Sequence, residues 1–405
     1  MAATFAAIRY PNYRRWFVGQ VLSLAGTWMQ SVAQGWLVYQ LTGSSLALGV
    51  ITAAGTVPTI VLMLPAGAIT DRVSKRRLLM LTQVVMMISA LILAALTWLD
   101  KLQVWEIAAL AALSGIAQSF DAPARLAITP QLVEDRADLQ NAIAMNAMMF
   151  NLARVVGPAI GGLILAGMGA AWCFLINGLS FLAVLIALAG MKLPHDVGKP
   201  RGDRRILAEI GDGLRFVWQQ QVVRALVILI GVTSLFGLSY AVLLPAYASD
   251  VLKVDAKGYG LLNAAVGIGA LAGSLAVASL SRWKSKGLQL TVGSLAFPLA
   301  LLVFAATRSY PLALLCLAGA GMSFVVQNAT GNTMIQLLAP DELRGRVMSV
   351  YTLFFFGATP VGAMLAGGVA QQWNATAAIL LGAGVTLAFT LSLVFFVPAV
   401  RRAQF

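Results

Sequence analysis

The chain has 405 residues, 60% of them hydrophobic and only 11% charged, with a mean hydropathy of +0.84. Soluble domains average about 25% charged residues, so a water-soluble globular protein is excluded. The net charge of +13 raises the question of a nucleic-acid partner, which the placement of the basic residues answers below.

A helix needs about 20 apolar residues to cross a hydrocarbon core. Twelve such runs follow one another: 16–40, 46–69, 78–98, 104–121, 142–167, 171–191, 222–248, 258–281, 288–306, 311–330, 347–370 and 374–398. Barrel strands would be about ten residues long and would alternate in polarity, so the runs predict an all-α integral membrane protein. The first run is too long for the apolar part of a cleavable leader and lacks a convincing cleavage site, and is expected to be retained. It carries no charge, yet Gln20, Ser23, Thr27, Gln30, Ser31 and Gln34 recur every three or four residues, which places them on one helical face.

Runs 2 and 3 are joined through Gly67-Ala-Ile-Thr-Asp71-Arg72-Val-Ser-Lys75-Arg76-Arg77. Run 4 carries a second polar set, Ser114, Gln118 and Asp121. Run 5 holds Arg154, the one charge deep inside a run, followed by Gly157-Pro158 and Gly161-Gly162. Glycines four apart let helices approach closely, and a proline bends a helix. An intramembrane arginine is costly and is read first as functional. It either meets an anionic group on a substrate or pairs with carbonyls and polar neighbours to fix runs 1 and 5.

Residues 192–221 form the one long polar interruption and divide the chain into 1–191, a linker, and 222–405. Within the linker Ile206, Ile210, Leu214 and Val217 recur at helical spacing beside basic residues. Such a helix either lies in the membrane interface or is a packed linker that never meets lipid. Run 10 repeats the polar idea with Ser323, Gln327 and Thr330, and Trp28, Trp36, Tyr240 and Phe324 offer flat apolar contacts. Cys173 and Cys316 fall inside runs, one in each half, and His195 has no partner histidine. No disulfide framework, metal site or cofactor is expected. The sequence lacks a Gly-x-x-x-x-Gly-Lys-Ser/Thr loop, so ATP-driven export by this chain is unsupported. No nucleophile–base pair suggests an enzyme.

With the N-terminus placed in the cytoplasm, 23 Lys and Arg fall on the cytoplasmic side and four (Lys101, Lys253, Lys257 and Arg308) on the other. This is the positive-inside asymmetry. It predicts both termini in the cytoplasm and accounts for the basic charge without nucleic acid. The halves also echo each other at an offset of 204–211 residues. Gln131-Leu132-Val133 returns as Gln336-Leu337-Leu338, Arg72 as Arg282, and the run 5 glycines more loosely as Pro360, Gly362 and Gly367-Gly368.

The stretch from Gly67 to Arg77 resembles the signature between helices 2 and 3 of the major facilitator superfamily, with Ser74 where a glycine is usual. The resemblance implies twelve transmembrane helices in two pseudo-symmetric six-helix bundles, with substrate bound at the repeat interface. It also implies a gate in which Asp71, with Gly67, Arg72, Lys75, Arg76 and Arg77, docks near the start of helix 11 around residues 346–349. A carboxylate favours the positive end of a helix. The plainer reading is that these charges only anchor the loop and set topology. Arg154 to Gly162 resembles the antiporter motif of the superfamily's drug exporters, with Ala153 replacing a glycine.

Three further stretches, Phe120-Asp121-Ala-Pro123-Ala-Arg125, Pro340-Asp341-Glu342-Leu-Arg344-Gly345-Arg346 and Tyr39-Gln-Leu-Thr-Gly43-Ser44, resemble the branch of macrolide, multidrug and enterobactin-type siderophore exporters. The implied protein is a monomeric secondary transporter of a bacterial-type cytoplasmic membrane, exporting drugs or siderophore-like compounds by alternating access in exchange for protons. A lysophospholipid transporter of the same fold is the alternative. In the superfamily helices 1, 4, 7 and 10 line the cavity, which points to Gln20, Thr27, Gln30, Gln34, Gln118, Asp121, Arg154, Tyr240 and Gln327. The same polar stripes would also serve as interhelical hydrogen bonds. Asp121 either titrates beside the cavity or is a fixed partner of Arg72 or Arg76.

Overall fold

The computed structural model describes residues 6–191, 206–280 and 285–402, without the side chains at 63, 64, 68, 71, 136, 206–210 and 402. The linker as far as Arg205, with His195, lies outside these residues, as do Arg282 and Lys284. Long apolar runs with few charges fold as helices because a helix satisfies its backbone polar groups within one segment. In order they are α1 (Pro11–Thr42), α2 (Ser45–Arg72), α3 (Lys75–Trp98), α4 (Val104–Ile128), α5 (Leu139–Met168), α6 (Ala170–Ala189), α7 (Ile206–Gln219), α8 (Gln221–Val232), α9 (Tyr240–Asp250), α10 (Ala256–Ser279), α11 (Lys286–Ala306), α12 (Tyr310–Leu338), α13 (Arg344–Gln372), α14 (Ala375–Phe396) and the short α15 (Pro398–Arg402). A π-helical segment, Thr233–Gly237, lies between α8 and α9. Counting that broken pair once, twelve helical passes replace the twelve runs.

Ten of these passes are long and apolar enough to cross a membrane by length and composition. The other two, α1 and α4, carry the polar stripes that lower their hydropathy. At 32 and 25 residues, they extend roughly 48 and 38 Å, ample for a core about 30 Å thick. The largest departures from the expected limits are at Ile128 and Leu338, where the helices continue past their apolar stretch. A backbone helix need not end where hydrophobicity does.

The described chain divides into two compact units. Unit 1 comprises Met1–Leu41 and Ala54–Gly202, and unit 2 comprises Thr42–Ala53 and Asp203–Phe405, so the first turns of α2 are counted with unit 2. In unit 1, Tyr13, Trp16, Leu79, Ile128 and Leu188 form a core near the start of α1. The buried Tyr13 hydroxyl donates to the Ala142 carbonyl at 2.9 Å, the partner that a buried phenol needs. In unit 2, Val217 of α7 joins Leu226, Ile335, Val347 and Val350 in one core.

Candidate functional site

In unit 1 two glycines of α5, Gly157 and Gly161, meet α1. A Cβ at Gly157 would lie 2.6 Å from both the Ala25 carbonyl oxygen and the Trp28 Cβ, and one at Gly161 would lie 3.1 Å from the Met29 Cα. Hydrogen at those positions lets the two helices touch. Unit 2 repeats the arrangement: a Cβ at Gly362 of α13 would strike the Leu235 carbonyl oxygen of the π segment. Gly157→Leu should therefore cost roughly 3 kcal/mol or more of stability, at the upper end for overpacking. Gly67→Ala, where nothing lies within 4 Å, should leave the melting temperature of the detergent-solubilised protein unchanged. A Gly157→Leu protein that melts like the parent would contradict this packing.

Arg154, three residues before Gly157, is half-buried. Its guanidinium carbon lies 5.7 Å from the centre of the Trp28 ring, and Phe150 meets the same ring edge-on at 5.9 Å. Among the described residues no carboxylate or carbonyl oxygen is bonded to it. The cation rests on an aromatic face, which attracts it through the ring quadrupole, and its five N–H donors are left for other partners. Asn151, one turn away on α5, is half-buried and returns its amide to the Ala147 carbonyl at 2.9 Å.

The polar stripe of α1 divides among several tasks. Gln20 is buried with no partner for its Nε2. The Thr27 and Ser31 hydroxyls donate to the Ser23 and Thr27 carbonyls of their own helix, as hydroxyls in membrane helices commonly do. Gln30 accepts from the Asn177 Nδ2 of α6 at 2.6 Å, which makes it an interhelical contact. Gln34 is half-buried and Gln118 of α4 is exposed. In unit 2 Gln327 is buried and donates to the Thr233 Oγ1 at 2.8 Å, tying α12 to the π segment. Tyr240 is buried edge-on against Phe297, and Phe297 in turn lies against Phe324.

Asp121 is 3% exposed. Its Oδ1 accepts from the Thr82 hydroxyl at 3.0 Å and the Gln83 Nε2 at 2.9 Å, both on α3, and its Oδ2 lies 3.6 Å from Arg125. Its ionic neighbour is Arg125, one turn along the same helix, and Arg76, one of the two arginines offered as a fixed partner, donates to the Ala189 carbonyl at 2.8 Å.

Ser74 sits at φ −62°, ψ 116° and caps α3, its hydroxyl accepting from the Arg77 N–H at 3.5 Å. A negative φ needs no glycine, so the serine is accommodated there without strain. Arg72 and Arg77 are exposed and Lys75 is buried. The Asp71 side chain lies outside the described residues. Sequence reasoning missed Asn177, Thr82 and Gln83. The signal for Asn177 was present, as a lone amide inside the apolar run of α6.

The sequence profile of a family described as "Transmembrane secretion effector" matches residues 2–404. The multidrug efflux pump Tap of Mycolicibacterium fortuitum is 32% identical over 358 residues, covering 86% of each chain. The enterobactin exporter EntS of Escherichia coli O1:K1 / APEC is 27% identical over 397 residues, covering 98% of this chain and 94% of EntS. Among solved structures, the nucleoside transporter NupG superposes with a TM-score of 0.74 at 12% identity, covering 95% of this chain and 98% of NupG. A bacterial homologue of the human lysosomal transporter Spinster superposes with a TM-score of 0.72 at 14% identity, covering 96% and 95%. At such identities the two structures establish the fold alone.

Proposed function

Because the chain belongs to the transmembrane secretion effector family of the major facilitator superfamily, we propose that it exports small organic molecules, of the drug or catecholate-siderophore kind, across the bacterial cytoplasmic membrane in exchange for protons. Export proceeds by alternating access, with residues 1–191 and 222–405 as the two halves and both termini in the cytoplasm. The protein acts as a monomer. Asp71 and Arg72 serve the gate, and Arg154 on Trp28 meets an anionic group of the substrate.

One observation carries the role of Arg154. Its helix packs on α1 through Gly157 and Gly161, and α13 packs on the π segment through Gly362 in the same manner. Yet α13 has no charge between Arg346 and its end at Gln372. Close glycine packing of this kind therefore does not require an arginine, and a costly intramembrane cation is retained for another purpose. A guanidinium over an aromatic ring offers planar, directional donors to carboxylate or phenolate oxygens.

Purified protein in liposomes tests the reading. With an acidic lumen, vesicles holding the protein should accumulate dihydroxybenzoate, or a cationic dye such as ethidium, above empty vesicles. A protonophore should abolish the difference. No accumulation of either probe would overturn export of this substrate class, and accumulation indifferent to the protonophore would overturn proton exchange.

A further inference from the structure

Helix α7 differs from the membrane passes in being strongly two-sided. One side is committed to protein. Gly213 is buried so closely that a Cβ there would lie 2.6 Å from the Arg346 carbonyl oxygen. Val217 is fully buried, Phe216 packs against the same core, and the Asp212 Oδ2 accepts from the Arg346 Nη1 at 2.7 Å. All of these contacts hold α7 against the first turns of α13. The expected single stripe is thus split, with Val217 inside and Leu214 outside.

The other side is apolar and uncovered. Leu214 is 42% exposed and Trp218 51%, and residues four apart lie one above the other on a helix. Arg215 is exposed beside them, and the Arg224 Nη1, from the first turn of α8, donates to the Trp218 carbonyl at 3.1 Å. The chain fixes the depth of this pair. Only Gln220 separates α7 from the membrane pass that begins at Gln221, and α7 also touches the start of the pass that begins at Arg344. Trp218 therefore sits where hydrocarbon gives way to headgroups, the level at which tryptophan is enriched. Deeper immersion is opposed by Arg215 and Gln219, exposed on the remaining side, and by the Asp212 carboxylate, which stays 57% exposed while paired with Arg346.

We propose that α7 is a membrane-surface helix: Leu214 and Trp218 insert beneath the headgroups, Arg215 and Arg224 bind anionic phospholipid, and the opposite side holds the start of α13 through Asp212, Gly213 and Val217. Basic residues beside an inserted apolar face match an anionic surface in charge, the pattern of interfacial helices. The consequence is that the lipid surface bears on α13 through a single helix.

The test uses the full chain in nanodiscs, with Cys173 and Cys316 replaced by alanine. A nitroxide is placed at 214, 215, 218 or 219 in turn. Labels at 214 and 218 should meet dissolved oxygen more readily than a water-soluble nickel chelate, and labels at 215 and 219 the reverse. Greater nickel access at 218 than at 219 would overturn insertion. For the headgroups, spin-labelled phosphatidylglycerol should associate in preference to phosphatidylcholine. Arg215→Gln and Arg224→Gln should each reduce that preference, by up to roughly fivefold. An unchanged preference in the double variant would overturn the anionic-lipid assignment. The four labelled positions are exposed, Arg224 is half-buried and Cys173 is buried, and thermal melting of the cysteine-free parent and of each variant distinguishes a binding defect from misfolding.

Discussion

Arg154→Gln is expected to cut export of an anionic substrate by roughly tenfold to a hundredfold while the protein melts within a few degrees of the parent. The size follows from the two energies at stake. A hydrogen bond to a charged group contributes about 1.5–3 kcal/mol, and each 1.4 kcal/mol is tenfold in affinity. The contact visible without substrate is the stacking on Trp28 at 5.7 Å, worth about 0.5–1 kcal/mol at a partly exposed site. Transport should therefore suffer more than stability does. Arg154→Lys should retain part of the activity, because a point charge remains although the planar fork is lost. A neutral or cationic compound carried by the same protein should pass nearly unaffected in both variants. The measurement is initial export rate for an anionic and a cationic probe in the same vesicles, beside a thermal melt. Uniform loss for all probes with a clearly lowered melting temperature would make Arg154 a packing residue and sink its place in substrate recognition.

Much of the fold was legible because hydrophobic length is a one-dimensional property, and the runs and helices agree closely along most of the chain. The close approach of α5 and α1 was legible for a similar reason, since glycines four apart mean the same thing wherever the partner helix lies. The polar stripe of α1 was only half legible. Its spacing places Gln30 and Thr27 on related faces, but periodicity does not say what a face meets. Gln30 found Asn177, and the Thr27 hydroxyl turned back to its own helix. Gln327 shows the same limit, since its partner Thr233 lies 94 residues away and belongs to a π-helical segment. That segment has no sequence signal of its own. It widens the helix where Gly362 and Gly382 admit the Leu235 and Phe236 carbonyls, a consequence of neighbours distant in sequence. The amphipathic pattern of α7 revealed an apolar arc but not its division between protein and lipid.

Asp121→Asn is expected to keep proton-driven export within a few-fold of the parent, whereas Asp121→Leu should lose much of its folded protein. The carboxylate accepts from Thr82 and Gln83 on α3 and faces Arg125 on its own helix, so its visible work is to join α3 to α4. Asparagine keeps an acceptor for Thr82 and Gln83 and gives up only the 3.6 Å pair with Arg125. That arginine side chain is 30% exposed, so solvent compensates part of the lost attraction. Leucine strands the Gln83 amide, while the Thr82 hydroxyl still has the Leu79 carbonyl at 2.9 Å: a buried, unsatisfied polar group costs about 1–3 kcal/mol, and a charge left behind adds to this. The expected loss is on the order of 2–4 kcal/mol, a large share of the stability of an ordinary domain. Thermal melts of both variants, with vesicle export driven first by a proton gradient and then by substrate counterflow, separate the roles. Were Asp121→Asn stable and competent in counterflow yet unresponsive to the gradient, the residue would be a proton carrier, and its bonds to α3 would be secondary to coupling.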